Sequence, residues 1–185
     1  MKNITKNKMT IEGDKVILRR LLLSDITAEY LAWLNDDDVT RGLETVPRPY
    51  THEMLEQYIH DVIANENTYM FMVLDKATGK TIGTAKVHNI SKKNGTCNLG
   101  MMIGDKNYWG KGYGQDTYNT AINFAFNTLG IRKIWEMANA DNVASLSMCK
   151  KAGFQIEGQL KEHILSDGKY IDKIVLGLFA RDRKK

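Results

Sequence analysis

Apolar residues recur along this chain at two spacings, and the switches between them mark out its elements. From Lys15 to Leu21 apolar and charged positions alternate at first, the pattern of a strand with one solvated face. Ser24 then offers a hydroxyl cap for a helix running to about Asn35, with Ile26, Tyr30, Leu31 and Leu34 on one stripe. Thr51 opens a second helix, in which Met54, Leu55, Tyr58, Ile59, Val62 and Ile63 repeat at i, i+1, i+4, i+5, i+8 and i+9. The segment between, residues 36–50, holds both prolines and three consecutive aspartates, so it reads as a loop and a candidate substrate loop.

After Asn67 the pattern changes. Residues 68–74 are apolar on both faces, as a central strand buried from two sides would be. Thr78-Gly79 turns into a strand over Thr81–Ile90, and Asn94-Gly95, a strong hairpin signal, leads to Thr96–Ile103, so the three strands predict an antiparallel meander. A glycine-rich stretch follows, then a helix on which Tyr118, Ala121, Ile122, Ala125, Phe126 and Leu129 keep a helical period. Ile131–Ala138 reads as another strand. Asn142 caps a further helix that Gly153 ends, and two strands, about 154–165 and 169–179, turn back on each other at Asp167-Gly168. The sum is an α+β (mixed α/β) architecture: one mixed, mostly antiparallel sheet of about seven strands flanked by about four helices.

Composition narrows the function classes. With 185 residues and 43% hydrophobic content, the chain has material for one well-buried core, expected over residues 15–180 between a tail (1–14) and a basic C-terminal tail (181–185). The net charge of +4 sits at the ends: residues 1–10 and residues 181–185 each contribute +3, which leaves −2 for the rest of the chain. Basic ends on a slightly acidic body do not suit a duplex-binding face, so no nucleic-acid partner is expected. Cys97 and Cys149 have no metal-ligand spacing and read as reduced thiols, with no metal site expected. No apolar run approaches the ~20 residues that span a bilayer and the N-terminus lacks a signal-peptide core, so no membrane partner and a cytoplasmic location are expected.

The chemistry concentrates in Tyr108-Trp109-Gly110-Lys111-Gly112-Tyr113-Gly114, three glycines at alternate positions before a helix. A Walker loop needs G-x-x-x-x-G-K-[ST], and a dinucleotide fingerprint needs a glycine where Gln115 stands. Two readings remain: a turn that packs tightly on a neighbouring strand, or an anion cradle in which backbone amides at a strand-to-helix junction face a phosphate.

The context of the loop matters more than the loop. Cys97–Gly104, Asp105–Phe126 and Asn139–Phe154 together resemble the GNAT superfamily of acetyl-coenzyme A dependent N-acetyltransferases, and the resemblance runs from about Lys15 to Phe179. It implies that the loop from Trp109 through Gly110, Lys111, Gly112, Tyr113 and Gly114 to Gln115 binds the coenzyme A pyrophosphate. The family pattern [QR]-x-x-G-x-[GA] then falls on Trp109, Gly112 and Gly114, with Trp109 departing from it. A second match, N-x-x-S-x-x-x-x-x-K-x-G-F, comprises Asn142, Ser145, Lys151, Gly153 and Phe154. The resemblance adds Asn142 and Lys151 to the cofactor contacts; helix capping accounts for Asn142 and Gly153 equally well.

Acetyl transfer to an amine requires a deprotonated amine, donors for the developing oxyanion and a proton for the leaving thiolate. The resemblance puts the oxyanion donors on main-chain amides of Leu99–Ile103, where relatives have a splayed gap; Met102 is the estimate, with Ile103 beside it among the cofactor contacts. The tyrosine that many members carry seven residues after the capping Asn is here Cys149, so the acid is assigned to Ser145, with Cys149 in reserve. The usual base position holds Asn98, and another family carboxylate falls near Ile164, which leaves His88, Glu162 and His163 as alternatives. The opening half, residues 30–44, resembles members that acetylate amino sugars on nucleotides, and more loosely those acting on ribosomal-protein N-termini or polyamines. An amino-sugar nucleotide is therefore the first-choice acceptor, and Asp36, Asp37, Asp38 and Glu44 are candidates to attract a cationic amine. A non-catalytic coenzyme A-binding module is the alternative from another class. Free strand edges would suit a homodimer.

Overall fold

The computed structural model describes residues 9–43, 49–166 and 168–183. Its eight strands are β1 (Thr10–Glu12), β2 (Val16–Arg20), β3 (Tyr69–Asp75), β4 (Thr81–Ser91), β5 (Thr96–Ile103), β6 (Lys133–Asn139), β7 (Gln155–Ser166) and β8 (Lys169–Phe179). They form one sheet in the order β1-β2-β3-β4-β5-β6-β8-β7. All neighbours are antiparallel except β5 and β6. The helices are α1 (Ala28–Leu34), α2 (Asp37–Thr40), α3 (His52–Ala64), α4 (Tyr113–Asn123) and α5 (Val143–Ala152). None is long and apolar enough to cross a membrane among the described residues.

Two apolar clusters place the helices. On one face of the sheet Val16, Phe71, Val73, Leu99 and Ile134 pack with Tyr118, Ile122 and Phe124 around α4, and with Cys149 and Ala152 of α5. On the other, Met70, Met72 and Met102 pack with Tyr30, Trp33 and Leu34 of α1 and Leu55 and Ile59 of α3. A strand buried on both sides needs apolar residues at successive positions, and β3 has them.

The meander β3-β4-β5 and the β7–β8 pair stand as the residue pattern predicts, although Asp167 of the turn lies outside the described residues. Ser24 is not the cap of α1. It sits in a tight turn, Leu23–Asp25, where the Asp25 carboxylate accepts from Leu22 N at 2.8 Å and from the Arg19 guanidinium, and the helix begins only after Thr27, whose Oγ1 accepts from Tyr30 N at 3.2 Å. Part of the expected N-terminal tail is the edge strand β1, paired with β2. Part of the expected loop 36–50 is α2, capped by Asp36, and Ala180–Asp182 of the expected C-terminal tail coil into a turn. The helix expected to reach Leu129 widens after Asn123, where Leu129 N bonds Phe124 O.

Candidate active site

The feature that organises the site is a failure of pairing. Parallel strands β5 and β6 meet only at Thr96–Lys133 and Cys97–Ile134, then diverge. Backbone groups on the edge of β5 beyond that point have no strand to bond. Side chains bridge the start of the gap: Asn98 Nδ2 donates to Trp135 O, and Leu99 N donates to the Glu136 carboxylate at 2.5 Å. At the far end the Trp109 indole N–H bonds Ile103 O at 2.7 Å.

Strand alternation decides which amides face the gap. Leu99 N points into it, so Met101 and Ile103 present theirs to the same side. Met102 lies opposite Thr84, and Gly104 N bonds Ile82 O, so the Met102 amide turns toward β4 while its side chain is buried under α1 and α3. The Met102 amide therefore does not face the gap as expected; those of the flanking Met101 and Ile103 do.

The glycine loop lies directly beyond β5. Gly110 and Gly112 have φ of 69° and 86°, a region that β-carbons disfavour, and nothing stands within 4 Å of a side chain at Gly110. Gly114 is different: a β-carbon there would meet Met101 and Ile103 at ordinary contact distances of 3.5 and 3.8 Å, so the packing of α4 on β5 does not itself demand glycine. Helices α1, α2, α3 and α5 each have a side-chain cap, from Thr27, Asp36, Thr51 and Asn142. Gly112, the N-cap of α4, gives none, which leaves the first-turn amides open to an anion. A cation missed in the residue pattern stands beside them. Lys15 Nζ is 2.9 Å from Lys111 O, and Asp116 of α4 holds its backbone there by accepting from Lys15 N at 2.8 Å and Val16 N at 3.0 Å. Open amides, absent β-carbons and a lysine fit a diphosphate.

Helix α5 borders the gap. Asn142 Oδ1 accepts from Ser145 N at 3.0 Å, so its capping role is real. Cys149 is buried with its Sγ 3.4 Å from the Tyr118 hydroxyl; burial raises the thiol pKa, which the side chains of Tyr118 and Ser145 partly offset by hydrogen bonding. Tyr118 is raised further, by burial and then by the Glu136 charge. Gln115 reaches Met148 O at 3.4 Å and ties α4 to α5. Lys151 is not gathered here. It lines a second cleft with Asn119 and Arg183, at the C-terminal end of α5.

On the opposite side of the gap a cleft of about 590 Å³ runs between the sheet and the α1–α3 layer. Its ionisable lining includes Tyr58, Lys86, His88, Glu136 and Lys173. His88 is pushed down to about 4 by burial and by Lys86, so it is neutral at pH 7. Burial pushes Glu136 up to about 8, against the opposing effect of the Leu99 N–H. Glu162 and His163 lie on an exposed bulge of β7 outside this cleft. The acidic triplet is also elsewhere: Asp36 and Asp38 both pair with Lys106 at 2.8 Å, and Glu44 lies outside the described residues. Glu136 was missed because in Trp135-Glu136-Met137 it reads as an ordinary strand residue.

A family model described as an acetyltransferase (GNAT) domain matches residues 15–155. The chain belongs to the GNAT family. It is 26% identical over 175 residues to an uncharacterized N-acetyltransferase, p20, of Bacillus licheniformis, across 94% of this chain and 97% of that one. It is 28% identical over 117 residues to the [ribosomal protein uS5]-alanine N-acetyltransferase of Escherichia coli, across 63% of this chain and 60% of that one. Among solved structures, spermidine N-acetyltransferase from Vibrio cholerae, in complex with CoA and spermine, superposes with a TM-score of 0.82 at 20% identity, over 92% of this chain and 98% of that one. GNAT proteins use acetyl-CoA as cosubstrate, and this chain is an N-acetyltransferase of that family.

Proposed function

We propose that the chain moves the acetyl group of acetyl-CoA to a primary amine seated in the α1–α3 cleft, and that the acceptor carries an anionic group, as an amino sugar on a nucleotide does. The observation that carries the acceptor class is Lys86. It is half-buried in the cleft, 3.4 Å from the Tyr58 hydroxyl, with no carboxylate partner among the described residues. A cation left unpaired in a recessed cleft favours an anionic ligand. A polyamine would meet the reverse charge, since Glu136 is the one carboxylate in the described lining. The protein N-terminus named for the Escherichia coli relative is the second reading.

Acetyl-CoA would be held by the glycine loop with Lys15 at its phosphates, and it supplies an activated thioester. The rest follows from this chain's own groups. Lys86 disfavours an ammonium beside it and so keeps the acceptor amine in the neutral, attacking form. Neutral His88, on the strand face shared with Lys86, offers that amine a hydrogen-bond acceptor. The Met101 amide faces the gap as a fixed donor for the oxyanion, and the Ile103 amide, at the glycine-loop end of the same edge, is a donor for the cofactor arm. The test is thiol release from acetyl-CoA with nucleotide-linked amino sugars, an N-terminal alanine peptide and spermidine. We expect the anionic acceptor to give the highest kcat/KM and Lys86→Met to raise its KM about tenfold. Preference for spermidine would overturn the acceptor class, and coenzyme A binding without release across the panel would favour a binding module.

A further inference from the structure

The position that supplies a tyrosine acid in many GNAT proteins is Cys149, and the structure offers a different group in the same place. We propose that Glu136 is the catalytic acid that protonates the departing sulfur. This rests on acetyl transfer occurring at the gap between β5 and β6.

Glu136 stands two residues beyond the last paired position of β6, Ile134, where the strands have just separated. It shares the face of β6 that Ile134 and Ala138 present to α4 and α5, and its carboxylate crosses the gap to the Leu99 amide. Its titratable surroundings are Tyr118 from α4, Cys149 from α5 and Cys97 from β5, each of which feels its charge. His88, Lys86 and Lys173 line the cleft on the other side. Among the described residues, the influences on the carboxyl itself are burial and one backbone N–H, and none of them is a cation that would hold it ionised. A carboxyl kept protonated at neutral pH is a donor, and its proton affinity lies close to that of a thiol, near ~8.5. The alternatives are poorer donors. Burial raises the Tyr118 phenol far above that range, and the Ser145 hydroxyl is an alcohol, far less acidic than a carboxyl.

The free edge of β5 from Ile103, beside the glycine loop, back to Leu99 is five residues long, four steps or about 13 Å of strand. Phosphates held at one end of that edge leave the thioester end of the molecule at the other, next to Glu136. As the amine nitrogen bonds the acetyl carbon, the carbon–sulfur bond breaks with its electron pair on sulfur, which takes the Glu136 proton. The amine gives up one proton in becoming an amide, and that proton returns to Glu136 through water. No proton or electron is left over.

The test compares two acetyl donors on wild type, Glu136→Gln and Glu136→Asp: acetyl-CoA, and an acetyl thioester of an acidic aryl thiol that departs without protonation. Glu136→Gln should lose about 100-fold in kcat with acetyl-CoA but under threefold with the aryl donor, and Glu136→Asp should recover part of the loss. The alkaline limb of the wild-type kcat profile near pH 8 should vanish in Glu136→Gln. A second readout needs no donor: infrared difference spectra of the ligand-free chain should show a protonated-carboxyl band that titrates near pH 8 and is absent in Glu136→Gln. Equal losses with both donors, or a carboxyl that titrates in the ordinary range, would overturn the proposal. Wild type that releases no thiol with any amine would instead overturn the transferase reading, and the infrared titration would still report the state of Glu136.

Discussion

A carboxyl held protonated inside the fold makes stability depend on pH, and Glu136→Gln isolates that dependence. The ordinary glutamate value is 4.5, and burial lifts Glu136 to about 8. A group whose folded pKa lies above its unfolded value binds a proton in the native chain that the unfolded chain has already released. Its contribution is complete below pH 4.5 and is lost as pH rises to about 8. At about 1.4 kcal/mol for each tenfold change in proton affinity, the rise from 4.5 to about 8 sets an upper bound of about 5 kcal/mol. The residue is only partly buried, so water relaxing around the carboxylate should reduce this to about 2–3 kcal/mol. Glutamine keeps an oxygen for the Leu99 amide and has no charge to bury. Urea unfolding at pH 5, 6, 7, 8 and 9 should show wild type weakening relative to Glu136→Gln, with the difference opening between pH 5 and 8 and constant above. The reasoning fails if the two stability curves run parallel from pH 5 to 9.

Two further substitutions probe the frame around the site. At Gly104 a β-carbon would fall inside the buried Trp33 ring, so Gly104→Ala should cost about 2–3 kcal/mol and shift tryptophan fluorescence; an unchanged spectrum and midpoint would refute the close approach. Arg183, in the expected C-terminal tail, donates to Ala152 O at 2.8 Å and Asn119 Oδ1 at 3.2 Å, pinning α5 to α4. Arg183→Ala should therefore lower Tm by about 3–6 °C in a calorimetric scan, and no shift would show that the contact is idle.

What was legible in the sequence was what neighbouring residues decide. Asn142 and Gly153 bound α5 because a cap and a left-handed stop act within one turn, and Gly153 has a φ of 97°. The glycine loop could be read as a junction between Ile103 and α4 for the same reason. Local signals failed where a distant partner competes. Asp25 bonds Arg19 and so spoils Ser24 as a cap, while Asp36 and Asp38, which looked like bait for an amine, neutralise Lys106. Three features of the site have no local signal. The strands part after Cys97–Ile134, which is a property of two segments some forty residues apart, and only that parting turns Glu136 from an ordinary strand residue into a half-buried carboxyl that bridges to the Leu99 amide. Lys15 joins the loop through Asp116, a hundred residues away in sequence. The Met102 amide faces β4 because of its register with Thr84, which the apolar run Leu99–Ile103 does not disclose.

Most directly at stake is the grip of the uncapped α4 terminus on a diphosphate. Calorimetric titration of coenzyme A into wild type and Gly112→Val, with circular dichroism to verify that both fold, measures it. The account predicts binding to wild type and a loss of at least 100-fold in Gly112→Val, where a branched side chain at φ 86° closes the approach to the amides. Equal affinity for the two folded proteins would contradict it.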